Sequence, residues 1–281
     1  MKTVRTLCLV VVAASMIAGC GAARDTATAI TTSGSSKRDD SLERVKKAGV
    51  LTWGADVVGG IPYVYEDPKH PGQYIGFEKE IAAEVARTLG VQLKLVIKAW
   101  DTLIPELQRG SYEMAMNGIE DTADRGKIVE FSTPYYVYSQ QLTVRKSTKG
   151  VKNLDDLAGR KVGTLSGTAA EDLLRQHAGI EVVINPEIIY SYRDLAEGKV
   201  DAVLLDKPIA VAYGASNPRL KNVGDSFQEG HYVIAFRKGD ERLRQAVNAA
   251  LDEMKRNGKL KAIYAKYGIM DAHQAKIGLT L

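Results

Sequence analysis

Cysteine is nearly absent from this chain, which contains only Cys8 and Cys20 among its 281 residues. Both precede residue 21, so the long remainder of the chain has no cysteine with which to form a disulfide. A domain of this size buries a large enough apolar core to fold without one. The sequence therefore predicts a fold stabilised by packing alone.

The motifs of several common enzyme classes are also missing. The chain has no P-loop, no zinc-binding HExxH and no paired CxxC, and residues 163–167 read GTLSG, which misses the nucleophile-elbow pattern GxSxG by one position. The four histidines are scattered rather than spaced as metal ligands. We expect no cofactor, no metal and no catalytic residues, which favours a binding protein over an enzyme.

No strongly basic region occurs. The formal net charge is +4, and the basic and acidic residues are interspersed along the chain. A nucleic-acid-binding surface requires a clustered basic stripe. We therefore expect no nucleic-acid partner.

The longest apolar run near the N-terminus covers only residues 7–14, which is too short to span a bilayer as a helix. It follows Lys2 and Arg5 and precedes small residues, a pattern that predicts a secretory signal over residues 1–19, with a buried N-terminal helix as the alternative. The small residues before Cys20 resemble the bacterial lipobox, which implies a lipidated Cys20 that tethers the protein to the membrane. Residues 20–40, rich in Ala, Thr, Ser and Gly, are expected to form a flexible tether.

Beyond the tether, apolar runs typical of strands alternate with amphipathic runs typical of helices. The pattern predicts strands over 51–55, 93–97 and 114–117, and helices over 78–89 and 101–108, the last capped by Asp101. A second unit has strands over 161–165, near 182 and over 202–205, a helix over 170–177, and final helices over 240–257 and 260–267 that return to the first unit. This order predicts an α/β fold with mostly parallel sheets.

The most specific motif runs from Asn117 to Arg125 and is followed by aromatic residues at 131–136. Gly118 lets the backbone turn after a strand, and Arg125 begins a short helix facing that turn. A guanidinium donates two parallel hydrogen bonds and therefore suits a carboxylate. The alternative is an ion pair within the chain, and the acids nearest in sequence are Asp121, Asp124 and Glu130.

These motifs resemble the bacterial extracellular solute-binding proteins of family 3, the polar amino-acid-binding lipoproteins of ABC importers, including the glutamine-binding and lysine/arginine/histidine-binding types. The resemblance covers residues 51–267. It implies a two-lobed periplasmic-binding-protein fold of type II, with lobe I at 41–136 plus 232–281 and lobe II at 140–228. Two hinge strands are implied near 136–140 and 229–233, and a hinge of this kind closes around a ligand.

The same resemblance implies partners and a location. The protein would be exported, monomeric and anchored to the cell membrane, and it would deliver a free L-amino acid to a membrane permease. The implied ligand-binding residues are Asp56, Trp100, Gly118, Glu120, Arg125, Thr168 and Asp206.

Several of these roles have a physical basis. Thr168 lies before a predicted helix, whose free N–H groups would share the ligand carboxylate with Arg125. Asp206 ends a predicted strand and would accept the α-ammonium. Asp56 would contact the ligand side chain, and Trp100 would pack on it or in the core.

Glu120 departs from the family pattern, because Ser or Thr is common there. Three acids, Asp56, Glu120 and Asp206, then face Arg125 alone, which favours a cationic ligand similar to arginine or lysine over glutamine or another polar amino acid. Glu120 could instead bind the ammonium, point elsewhere or be protonated. Two other functions stay open: a cyclohexadienyl dehydratase with Glu120 as its acid, and a module that reports ligand to a separate protein.

Overall fold

A computed structural model describes residues 39–58 and 60–280. The predicted signal segment, Cys20 and most of the predicted tether lie outside the described residues. Within those two ranges, none of the helices combines the length and apolar character needed to cross a bilayer.

The described part of the chain alternates strands and helices. In chain order the strands are β1 (Val50–Ala55), β2 (Tyr65–Glu66), β3 (Tyr74–Ile75), β4 (Gln92–Ile97), β5 (Met114–Ala115), β6 (Glu130–Phe131), β7 (Tyr136–Arg145), β8 (Lys161–Leu165), β9 (Glu181–Asn185), β10 (Ala202–Asp206), β11 (Leu220–Tyr232) and β12 (Ala235–Phe236). The α-helices are α1 (Ser41–Ala48), α2 (Phe77–Leu89), α3 (Leu103–Gln108), α4 (Ala123–Ile128), α5 (Ala169–Gln176), α6 (Ile188–Glu197), α7 (Lys207–Ile209), α8 (Glu241–Arg256) and α9 (Lys259–Lys266).

These elements form a two-lobed α/β fold with one five-stranded sheet in each lobe. The first sheet has the order β4-β1-β5-β12-β6, in which β4, β1 and β5 are parallel. The second has the order β11-β7-β10-β8-β9, in which β10, β8 and β9 are parallel. The parallel strands follow from the predicted βαβ units, because a helical crossover returns the chain in the same direction.

The antiparallel strands were not predicted from periodicity. β7 and β11 form an antiparallel pair. At the start of β7, Tyr136 lies opposite Tyr232, and the register continues to Ser139 opposite Glu229. β7 is almost completely buried, so its sequence lacks the polar alternation that marks a strand with one solvated face. The paired segments coincide with the two predicted hinge crossings, while the exact lobe boundaries stay a prediction.

The helices that cover the sheets have the predicted apolar faces. α2 buries Phe77, Ile81 and Val85 and ends at Gly90, whose φ of 72° gives the left-handed cap. α8 buries Leu243, Val247, Leu251 and Met254 in the same core. Each fully buried side chain of this size contributes about 1.5–3 kcal/mol through removal of apolar surface from water.

Two local predictions were wrong. Asp101 does not cap a helix, because Trp100–Thr102 is a 3-10 turn that precedes α3. The third strand ends at Ala115 rather than at residue 117. Asn117 instead turns its side-chain oxygen to the Asp56 N–H, which donates to it over 2.8 Å. Both differences occur where the backbone leaves a strand and begins to line the cavity that is described below.

Candidate functional site

The cavity lies where strands of both sheets end. Asp56 follows β1, Gly118 follows β5, Leu165 ends β8 and Asp206 ends β10, and all four line the cavity. Parallel α/β sheets bind ligands at this edge. The empty space enclosed by the lining residues, including its mouth, is about 510 Å³.

Six of the seven residues predicted to bind a ligand line this cavity. They are Asp56, Trp100, Gly118, Glu120, Thr168 and Asp206. Arg125 instead lines a neighbouring groove, and its guanidinium contacts two cavity-lining residues, Glu120 and Trp100. Contact of any of these residues with a ligand stays a prediction.

Asp56 is held by backbone donors at one wall of the cavity. Its two carboxylate oxygens accept hydrogen bonds from the N–H groups of Val58 and Trp100, at 2.8 and 2.9 Å. Burial raises the pKa of the Asp56 carboxyl, while these hydrogen bonds act in the opposite direction. A cationic ligand group would stabilise the charged form.

Trp100 spans the cleft between the two sheets. Its indole N–H donates to the backbone oxygen of Ser166 over 3.0 Å, and the Arg125 guanidinium carbon lies 5.4 Å from the centre of its ring. The ring therefore packs partly on a cation of the protein itself. Trp100 also lines the cavity.

Asp206 lies deep in the cavity and is 5 % exposed. It accepts hydrogen bonds from the Gln140 amide, at 2.7 Å, and from the Tyr232 hydroxyl, which is in turn 2.7 Å from the Tyr63 hydroxyl. Burial, and then the nearby charge of Glu120, raise the pKa of Asp206 to about 8. An ammonium group bound here would favour the carboxylate and displace its proton.

Arg125 forms an ion pair, but its partner is none of the three acids named from the sequence. Nη1 donates to the Glu120 carboxylate and, over 3.0 Å, to the Glu120 carbonyl oxygen. Nη2 donates to the Gly167 carbonyl oxygen over 2.8 Å. The three acids pair elsewhere in the structure: Asp121 with His231, Asp124 with Lys127 and Glu130 with Lys238.

The loop before α5 supplies both a side-chain cap for the helix and a backbone N–H that binds a carboxylate. Thr168 caps the helix by accepting from the Glu171 N–H over 3.3 Å, and its hydroxyl donates to the Leu165 carbonyl. The Ala169 N–H donates to Oε1 of Glu120 over 3.1 Å. A carboxylate therefore does lie at this helix N-terminus, and it belongs to Glu120.

Glu78 supports the site from behind. This fully buried carboxyl accepts from the Gly118 N–H over 2.7 Å and from the Tyr135 hydroxyl. Burial raises the pKa of Glu78 to about 8. Its contact fixes the backbone of Gly118 at the cavity wall.

Sequence reasoning missed several residues of the cavity, chiefly Tyr63 and Glu187. Tyr63 is one of two tyrosines in the sequence Tyr63-Val64-Tyr65, and it supplies a ring that residues 57–60 lack. Glu187 follows β9 in an Asn-Pro-Glu sequence and precedes α6, a helix that was not predicted. An acid at the end of a strand, as also found at Asp206, was the available signal.

A comparison with known protein families agrees with the fold and the position of the cavity. The model for bacterial extracellular solute-binding proteins, family 3, matches residues 56–270. The chain belongs to this family. The L-cystine-binding protein TcyJ of Escherichia coli K12 is 34% identical over 229 residues, which are 80% of this chain and 85% of TcyJ.

Solved structures of similar proteins have the same fold. An ancestral arginine-binding protein bound to arginine is 34% identical with a TM-score of 0.74, over 78% of this chain and 98% of that one. AncCDT-1, an ancestral amino acid-binding protein and precursor of cyclohexadienyl dehydratase, is 30% identical with a TM-score of 0.75, over 80% of this chain and 98% of that one. These relatives support an amino-acid substrate-binding role for this family 3 protein.

Proposed function

We propose that the cavity binds an L-amino acid with a cationic side chain, similar to arginine or lysine, and that the protein delivers it to a membrane permease of an ABC importer. One observation carries this choice of ligand. Four carboxyl side chains line the cavity, those of Asp56, Glu120, Glu187 and Asp206, and no lysine or arginine is among its described lining residues.

These charges discriminate between ligands. Glu120 is compensated by Arg125, whereas burial raises the pKa of Asp56, Glu187 and Asp206, as expected for carboxyls that lack a close cation. A neutral side chain such as that of glutamine would leave Asp56 and Glu187 uncompensated, whereas Asp206 would pair with the α-ammonium that both kinds of ligand carry. A guanidinium or ammonium on the side chain would stabilise Asp56 and Glu187.

In this proposal each lining residue has a role that follows from its position in the cavity. Asp206 accepts the α-ammonium, while Asp56 and Glu187 at the opposite wall face the cationic end of the side chain. Trp100 packs on the alkyl stem, and Gly118 and Thr168 border the backbone of the ligand. The paired segments of β7 and β11 act as the hinge on which the lobes close.

The proposal includes export and anchoring through a lipid on Cys20, with residues 20–40 as the tether. Membership in an extracellular solute-binding family supports this location. A tethered domain would keep its cargo close to the permease, because the tether raises the effective concentration of the domain there.

An enzyme similar to cyclohexadienyl dehydratase is the second candidate, favoured by the structural similarity to AncCDT-1. An acid that protonates a leaving hydroxyl must itself carry a proton, and Glu120 instead pairs with a guanidinium. The binding function is therefore preferred. Formation of product from prephenate or arogenate would favour the enzyme.

Calorimetric titration with L-arginine, L-lysine and L-glutamine tests the preferred ligand. We expect arginine or lysine to bind at least about tenfold more tightly than glutamine, since loss of one compensating charge costs more than about 1.4 kcal/mol. Asp56→Asn should reduce this preference. Asp252→Asn is the control, because Asp252 lies on α8 and does not line the cavity.

Tighter binding of glutamine than of both cationic amino acids would contradict the proposed ligand. Unchanged selectivity in Asp56→Asn would contradict the role of that carboxyl alone.

A further inference from the structure

The side chain of Glu120 occupies an unusual position for an acid, between two groups that bind anions. One carboxylate oxygen accepts from the Arg125 guanidinium, and the other accepts from the Ala169 N–H at the start of α5, over 3.1 Å. The Glu120 side chain is only 2 % exposed. Each oxygen therefore has a donor, and the two donors come from opposite sides of the cleft.

These donors are the two that the sequence assigns to a ligand carboxylate. Arg125 follows the first sheet's β5, and α5 follows the second sheet's β8, so a carboxylate bound by both must lie in the closed cleft. The structure shows a carboxylate in that place, and the protein itself supplies it.

The backbone fixes Glu120 in this position. The backbone of Glu120 forms an isolated antiparallel bridge with that of Tyr232. The Glu120 carbonyl oxygen accepts hydrogen bonds from the Arg125 guanidinium and from the Thr122 N–H. The side chain can therefore reach the guanidinium without rearrangement of the surrounding turn. The contact is local and does not depend on a flexible surface residue.

A ligand carboxylate would have to compete for the same donors. Nη1 of Arg125 already donates to Glu120, and Nη2 donates to the Gly167 carbonyl oxygen. A second carboxylate beside Glu120 would also bring like charges together in a buried site. That repulsion disfavours the α-carboxylate and leaves the attraction for the ammonium intact.

We propose that Glu120 acts as an internal carboxylate that competes with the α-carboxylate of the ligand, and that it thereby shifts the specificity of the cleft toward cationic amines. The inference rests on the proposed function, because it assumes that a cationic amino acid or its analogue enters this cavity. The favoured class is a decarboxylated cationic amino acid, which retains the ammonium and the cationic side chain.

Calorimetry with L-arginine and agmatine tests the proposal, since agmatine is arginine without its carboxylate. For the wild-type protein, agmatine should bind at least as tightly as arginine. In Glu120→Ser the carboxylate donors become free, so the affinity for arginine should rise at least about tenfold relative to that for agmatine. Asp121→Asn is the matched control and should leave the ratio unchanged, because Asp121 pairs with His231 outside the cavity.

Glu120→Gln provides a second variant of almost the same size if Glu120→Ser does not fold, as judged by circular dichroism, and a smaller shift in the same direction is expected. A ratio of the two affinities that stays the same in both Glu120 variants would overturn the role of Glu120 while the binding function stands. Absence of binding of either ligand to wild-type and variant proteins alike would overturn the binding function, and this proposal with it.

Discussion

At the residue scale, Asp206 controls the acid–base chemistry of the cavity. Its carboxyl is buried, accepts from Gln140 and Tyr232, and has a pKa of about 8 because of burial and the charge of Glu120. Burial therefore favours the protonated form of this group when no cation is bound. Binding of an ammonium requires the carboxylate, so ligand binding must release that proton.

We predict that the affinity for L-arginine rises by up to about tenfold per pH unit between about pH 6 and pH 8, and levels off above the pKa of Asp206. The direction follows because protonated Asp206 cannot accept the ammonium. Calorimetry in buffers of different ionisation enthalpy should show release of close to one proton at about pH 6. Asp206→Asn should weaken binding and remove the pH dependence. An affinity that does not change across this range would exclude Asp206 as the acceptor.

Individual site residues were predictable from the sequence to different extents. Asp206 was identified because an acid at a strand end lies at the ligand edge of an α/β sheet, and Asp56 because it matches an acid of the resembling family; both line the cavity. The partner of Arg125 was not identified. Charge spacing names the nearby acids, but the choice of Glu120 depends on how the turn at Gly118 points each side chain, which sequence spacing does not determine.

At the element scale, the parallel strands and most of the helices beside them were predictable from periodicity, whereas α6 and the long antiparallel strands were not. β8 was predicted to the residue, and α2 to within one residue, because each has a clear apolar period bounded by a glycine or a charge. Periodicity did not predict β7 and β11, because β7 is buried on both faces and β11 contains bulges that interrupt its alternation; only their hinge segments near 136–140 and 229–233 were implied, by the resemblance. Their pairing is a long-range contact that local periodicity does not reveal.

The turn after β5 illustrates how one element builds the site. Gly118 has a φ of 64°, and a Cβ atom at this position would lie 2.9 Å from a carbon of the Tyr63 ring. Glycine is therefore required both by the left-handed backbone and by the close aromatic ring.

We predict that Gly118→Ala lowers the free energy of unfolding by about 2–4 kcal/mol, as the sum of backbone strain and overlap with Tyr63. Urea denaturation measures the loss. Gly110→Ala is the control, because Gly110 also has a left-handed φ, of 81°, but no atom lies within 4 Å of its added Cβ. It should lose only about 1–2 kcal/mol. Equal losses in the two variants would show that the Tyr63 contact contributes nothing.

At the scale of the whole molecule, the ligand site exists only because two sheets meet. Glu120 and Arg125 come from the first lobe, whereas Gly167, Thr168 and Asp206 come from the second. Trp100 and Arg125 donate hydrogen bonds to backbone oxygens of the opposite loop, at Ser166 and Gly167. Under the proposed function, closure brings the charges of the cavity together, and a ligand that supplies the missing cation would stabilise the closed arrangement.

A crystal structure of the protein grown with L-arginine would show directly whether a cationic amino acid binds between the lobes. We predict electron density for arginine in the cavity, with its ammonium within about 3 Å of Asp206 and its guanidinium facing Asp56 and Glu187. Arginine bound on another surface, or bound in the cavity with its guanidinium away from all of these carboxyls, would contradict the account.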